Sequence, residues 1–246
     1  MLLRAIALGA LLFLAGEQRT VALHLAGDST MAIKRDDRRP EKGWGEALAP
    51  LFDSAAVRVV NHAMNGRSTR TFISEGRWQA LVDSLHPGDW VFIQFGHNDE
   101  SPEKVDRYTP QADFRANLVR MTGDVRAKGA HPVLLTPIAR RKFDGTGAIV
   151  DTHGEYPDIV RSVAAEHHVP LLDLHHATLD TLRRLGPDST RSLFLQLGKG
   201  EHPNYPDGIS DNTHLSPRGA ALVARLAVAA MKSQRIELAK WITERP

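Results

Sequence analysis

Short apolar runs alternating with longer amphipathic stretches constrain this chain more than any other feature of its sequence. Five runs, at 21–26, 57–61, 90–95, 132–136 and 170–174, are brief, rich in β-branched or apolar residues and flanked by turn formers, as strands are. The intervening stretches at 45–52, 76–84, 111–128, 155–168 and 177–185 read as helices, and a last helix is predicted over 217–233. Strand followed by helix, repeated along the chain, predicts an α/β fold in which helices cover a central, mostly parallel five-stranded sheet. With 246 residues, 42% of them hydrophobic and 24% charged, the chain suits one sizeable core rather than two. Residues 19–246 are therefore read as a single domain.

The chain holds no cysteine, which excludes a disulfide framework, a thiolate zinc site and a cysteine nucleophile. Its formal net charge is only +2 and the basic residues are scattered, so nucleic acid is not the expected partner. A sequence pI near 9.0 is compatible with an acidic polysaccharide, although ordinary solubility charge accounts for it equally simply. Arg4 followed by the apolar run 5–15 has the charge and length of a secretory signal and is too short to span a membrane in the mature protein. Residues 1–18 are read as a signal peptide or disordered leader and the protein as periplasmic or secreted, with Phe13 an imperfect fit to a cleavage site. Nothing in the sequence specifies an oligomeric state.

Polar residues gather just past the C-terminal ends of three predicted strands: Asp28 and Ser29, then Asn65 and Gly66, then Asn98 and Asp99. In open α/β sheets that edge is where ligands bind. Within Gly27-Asp28-Ser29-Thr30, a serine at a strand-to-helix turn can present both its hydroxyl and its backbone N–H, and the glycine permits the reversal. Alone, the same tetrapeptide also reads as a helix cap and turn. Asp211-Asn212-Thr213-His214 places a carboxylate three residues before an imidazole, a spacing at which the aspartate can hold Nδ1 and leave Nε2 free as a base. A glycine N–H at Gly66 and the amide of Asn98 are suitable donors for an oxyanion. The segments 34–42 and 191–211 read as long surface loops.

Taken together, Gly27-Asp28-Ser29, Gly66, Gly96-x-Asn98-Asp99 and Asp211-x-x-His214 follow the order and rough spacing of the four sequence blocks of the SGNH, or GDSL-like, hydrolases. The resemblance covers about residues 21–230. It implies a flavodoxin-like three-layer α/β/α sandwich, a triad of Ser29, Asp211 and His214, and an oxyanion hole made by Ser29, Gly66 and Asn98. It calls for neither cofactor nor metal. Gly43-Trp44-Gly45, Asn61 leading into Gly66-Arg67-Ser68-x-Arg70, and Ser216 with Gly219-Ala220 resemble the rhamnogalacturonan acetylesterase branch, whose members deacetylate plant cell-wall polysaccharide. Leu215 departs from that pattern, where relatives more often carry an aromatic residue. The expected partner is thus an acetylated polysaccharide or oligosaccharide of rhamnogalacturonan type, with xylan a further possibility.

Asp28, Asn65, Arg67 and His97 are the candidates for contacting substrate. Arg67 and Arg70 suit either a uronate carboxylate or a surface ion pair. Trp44 and Trp78 read as core or cleft wall. The pairs His167-His168 and His175-His176 lack metal-ligand spacing and read as surface or packing residues. Two other functions share these residues: a lipase, thioesterase or arylesterase on the same fold, and a carbohydrate-binding protein without turnover. A long acyl chain would need an apolar channel, which the polar segment 205–209 does not suggest.

Overall fold

The computed structural model describes residues 20–243, so the leader expected at 1–18 lies outside the described residues. Strand β1 (Val21–Gly27) goes straight into the interior and buries Leu23 and Leu25 toward one side and Ala26 toward the other. A run that is apolar but for the buried His24 reflects a strand covered on both faces. Helix α1 (Trp44–Leu48), strand β2 (Val57–Asn61), the short helices α2 (Thr69–Ser74) and α3 (Arg77–Asp83), and strand β3 (Trp90–Gln94) follow. Helix α4 (Gln111–Ala127), β4 (His131–Leu135), α5 (Tyr156–Glu166), β5 (Leu171–Leu172) and α6 (Leu174–Thr190) complete the alternation. All five strands run parallel, in the order β2-β1-β3-β4-β5.

The strand residues divide two apolar clusters between the faces of the sheet. Leu23, Leu25, Phe92, Val133 and Leu135 pack with Trp44 of α1, with α6, and with the final helix α7 (Pro217–Ser233). Ala26, Val91, Ile93 and Leu134 pack with Phe72 of α2, Trp78 of α3, and helices α4 and α5. This is the expected three-layer sandwich. Trp44 and Trp78 are both fully buried and satisfy their indole N–H on Gln94 Oε1 and Asp124 Oδ2, at 2.8 and 2.9 Å.

Three expectations need correction. The segment 191–211 is not a plain loop: it holds β6 (Phe194–Leu197) and leads into β7 (Ile209–Leu215), which pair antiparallel. The predicted helix over 177–185 begins earlier and runs to Thr190 across a break at Gly186, whose φ is 75°. The segment 34–42 keeps residues 35–38 exposed, as a surface loop does, but turns two charged side chains inward, burying Lys34 and Glu41. The β6–β7 hairpin sits outside the sheet and is tied down at several points. Phe194 pairs with Leu215, Lys42 N–H donates to the Leu215 carbonyl at 3.0 Å, and Ser216 caps α7 through the Gly219 N–H at 3.1 Å. At Gly219 a Cβ would lie 1.8 Å from the Leu193 carbonyl oxygen, so only glycine lets α7 approach the start of β6. Leu215 is buried in the core, where an apolar side chain suffices.

Candidate active site

Ser29 stands on the turn after β1. Gly27 passes so close to β3 that a Cβ there would be 2.9 Å from the Gln94 carbonyl oxygen. Asp28 then folds the chain back, its Oδ1 accepting the N–H and the hydroxyl of Thr30, both at 2.9 Å. The Asp28 carboxyl is fully buried, so it shapes the turn and does not line the cleft. Burial alone would raise it, but His97 and the Thr30 bonds outweigh that and hold it at about 2. Its second oxygen lies 3.3 Å from His97 Nδ1. Burial drives His97 down to about 4 against the pull of Asp28, leaving the ring neutral at ordinary pH.

Strand β7 carries the other two chemical groups. Asp211 Oδ1 accepts the N–H groups of Thr213 and His214 at 2.7 and 2.9 Å, curling the backbone until Oδ2 meets His214 Nδ1 at 2.7 Å. His214 Nε2 is 2.9 Å from Ser29 Oγ. Held this way, the imidazole carries its proton on Nδ1 and turns a lone pair toward the serine. Burial acts to raise the Asp211 carboxyl, yet the His214 hydrogen bond and the backbone donors prevail and bring it to about 2.

The loops after β2 and β3 meet opposite this pair. Gly66 has φ 75°, a left-handed conformation that glycine adopts without strain. Asn98 donates from Nδ2 to the Arg67 carbonyl at 2.9 Å, which fixes the amide plane and leaves its second N–H available. Asp99 locks the two loops together: its Oδ1 accepts the Thr69 N–H and hydroxyl at 2.8 and 2.6 Å, and burial pushes its carboxyl up to about 7. Ser29, Gly66 and Asn98 thereby face one cleft of about 330 Å³, together with Asn65, His97, Asp211 and His214.

Arg67 lies outside that cleft lining. Its Nε binds both oxygens of Glu75, at 3.1 and 3.0 Å, and Arg70 donates to the Val105 carbonyl at 2.7 Å. The cations that do line the cleft are Arg38, Lys104, Arg107 and Arg140, and its carboxylates are Glu41 and Asp211. Sequence reading missed all four cations and Glu41, because they come from three loops, after β1, β3 and β4, that share no motif. His175 is buried against Asp151 at 3.1 Å, and His176 reaches Asp173 at 2.8 Å.

A serine, an imidazole base and a half-buried carboxylate in hydrogen-bonded series, beside three backbone or amide donors, can perform acyl transfer through a covalent intermediate. Residues 25–222 match the GDSL-like lipase/acylhydrolase family. The chain belongs to this family. It is accordingly a carboxylic ester hydrolase, as the four sequence blocks implied. Within the family's reach, the chain is 40% identical to rhamnogalacturonan acetylesterase RhgT of Bacillus subtilis, over 93% of this chain and 97% of that one. It is 31% identical to the rhamnogalacturonan acetylesterase of Emericella nidulans, over 90% and 89% of the two chains. The crystal structure of YxiM from Bacillus subtilis superposes with a TM-score of 0.75 at 28% identity, covering 89% of this chain and 58% of that one. Axe2, an acetylxylan esterase from Geobacillus stearothermophilus, shares the fold with a TM-score of 0.62 at 21% identity, covering 93% and 100%.

Proposed function

We propose that the chain is a serine acetylesterase that removes O-acetyl groups from an acidic cell-wall polysaccharide of rhamnogalacturonan type, or from its oligosaccharides. The observation that carries this reading is the unbroken series Asp211, His214, Ser29, at 2.7 and 2.9 Å, opening on a cleft with four cations in its lining. In the first half-reaction Ser29 Oγ attacks the acetyl carbonyl carbon while its proton passes to His214 Nε2. The carbonyl oxygen becomes an oxyanion held by the N–H groups of Ser29 and Gly66 and by the Asn98 amide. His214 returns the proton to the departing sugar oxygen, leaving an acetyl-serine. Water, deprotonated by His214, then attacks the acetyl carbonyl, and His214 gives that proton to the leaving Ser29 oxygen as acetate departs. Asp211 keeps the imidazole in the tautomer this sequence needs.

The substrate class follows from charge and shape. Arg38, Lys104, Arg107 and Arg140 outnumber Glu41 and Asp211 in the cleft lining; Arg107 and Arg140 also pair with Asp106 and Glu100, at 3.0 and 2.5 Å, and the guanidinium groups that border the cleft suit uronate carboxylates along a chain. The names of the relatives at 40% and 31% identity agree with it. A lipase would need an apolar channel opening on the serine, and the cleft that holds Ser29 is lined by polar and charged side chains. A polymeric substrate outside the cytoplasm also suits the basic, apolar start of the chain, and we propose export on that ground.

The test is acetate release, followed by proton NMR, from acetylated rhamnogalacturonan and acetylated xylan, with p-nitrophenyl acetate and octanoate as controls. Wild type is expected to prefer the rhamnogalacturonan, and Ser29→Ala and His214→Ala each to lose nearly all turnover. Cleavage of the octanoate ester with both glycans untouched would remove the carbohydrate assignment. Binding undiminished in Ser29→Ala with no turnover in wild type would favour a binding protein instead.

A further inference from the structure

Two charged side chains of the loop between β1 and α1 turn inward beside the proposed triad. Lys34 and Glu41 are 3% and 1% exposed, a degree of burial that charged groups reach only when paired. Lys34 Nζ lies 2.7 Å from Glu41 Oε1 and also donates to the Ser29 carbonyl at 2.5 Å and to Asn65 Oδ1 at 3.0 Å. Three acceptors thus take up its three N–H bonds. Glu41 Oε1 in turn lies 4.0 Å from His214 Nε2, the nitrogen that faces Ser29. The second Glu41 oxygen is buried without a hydrogen-bond partner among the described residues, with Arg38 Nε standing off at 3.5 Å.

Resting on the reading of His214 as the general base, we infer that Glu41 is a second carboxylate for the histidine cation formed during catalysis, and that Lys34 holds it at its working distance. When the Ser29 proton moves to Nε2, a positive charge appears on a ring that has Asp211 at Nδ1 and Glu41 beside Nε2. The neutral ring gains little from Glu41, whereas the cation gains a charge–charge attraction, tempered by Lys34, to a carboxylate that is itself only 1% exposed. An interaction stronger in the transition state than in the ground state accelerates the step. At 4.0 Å Oε1 is too far to hydrogen-bond Nε2 and so does not compete with Ser29 for it. The pin to Lys34 maintains that gap. Glu41 is therefore a positioning residue acting through its field. The other charges facing the ring are Asp211 on β7 and, around the cleft, Arg38, Lys104, Arg107 and Arg140. Lys34 partly neutralises Glu41 from the far side.

The test is the pH dependence of kcat/KM on p-nitrophenyl acetate, a neutral ester, with kcat and KM also separated, in wild type, Glu41→Gln and Lys34→Met; folding is checked by circular dichroism. Glu41→Gln removes an anion from beside the cation, so the acid limb is expected to move to lower pH by on the order of one unit. Its kcat is expected to fall roughly tenfold with little change in KM. Lys34→Met leaves Glu41 unneutralised, and the limb is expected to move to higher pH. Simple loosening of the loop would lower kcat in both without opposite displacements. Should Lys34→Met fail to fold, the double variant K34M/E41Q takes its place and must shift the limb as Glu41→Gln does, by less. Limbs that coincide with wild type, or single variants that shift the same way, overturn the inference. Activity surviving in His214→Ala would instead overturn the function proposed above.

Discussion

Asn98 shows how one side chain can be both structural and chemical. One amide N–H is committed to the Arg67 carbonyl at 2.9 Å, so the other points in a set direction before substrate arrives. Removing a donor of this kind costs on the order of a hundredfold to a thousandfold in turnover. Asn98→Ala is expected to show that loss in kcat with KM little changed, measured on the preferred glycan. The buried titratable neighbours set a pH dependence of a different kind. His97 is held down to about 4 by burial, below its ordinary 6.5. Between those values the unfolded chain binds the extra proton, so this group makes stability rise with pH from about 4 to 6.5. His62, also lowered by burial to about 4, adds to the same slope. Asp99 opposes it: burial raises it from 3.8 to about 7, the folded state keeps the proton in that window, and its contribution falls as pH rises. Urea midpoints at several pH values across that window are expected to show a flatter rise in His97→Gln and a steeper one in Asp99→Asn.

At the scale of elements, the proposed site depends on a hairpin outside the main sheet. Strand β7 carries Asp211 and His214, while Ser29 sits on the turn that follows β1. Their 2.9 Å approach therefore rests on how α7 and the start of β6 pack, and Gly219 is the tightest point of that contact. A methyl group at Gly219 cannot fit without moving the Leu193 backbone. Gly219→Ala is expected to lower the melting temperature by several degrees, as a loss of about 1–3 kcal/mol does, and to reduce kcat further at temperatures where the protein remains folded. Activity equal to wild type would mean that the hairpin holds its position without this contact. The sequence did not reveal the hairpin, and the reason is physical. Ile209 and Leu215 are the only aliphatic residues of β7 and stand at its two ends, with polar residues between. Half-buried at a rim, such a strand lacks the continuous apolar run that marks a covered one.

For the molecule as a whole, the cleft's charge is the property most open to measurement. Long-range attraction between a cationic cleft and an acidic polymer is screened by salt, with a Debye length near 10 Å at 0.1 M. KM for acetylated rhamnogalacturonan is expected to rise several-fold between low salt and about 0.5 M, while KM for p-nitrophenyl acetate stays level. Lys104→Ala and Arg107→Ala are expected to weaken that salt dependence. Equal salt responses for the acidic and neutral substrates would remove the electrostatic part of the substrate proposal. No helix among the described residues is long and apolar enough to cross a membrane.

The sequence by itself determined the α/β class, the five parallel strands and the residues at their C-terminal ends, because periodicity and turn chemistry are local properties of the chain. Ser29, Asp211 and His214 stood out for that reason, each in a short motif, and the fold brings them into one hydrogen-bonded series. Only the tertiary structure decided which charges face the cleft. Arg67 stands beside Gly66 in sequence yet binds Glu75, whereas Arg38, Lys104 and Arg140 arrive from three different loops. Lys34 and Glu41 look like solvated loop residues in the sequence and are buried beside His214. Burial depends on what packs over a residue, and the elements that cover these loops lie far away along the chain.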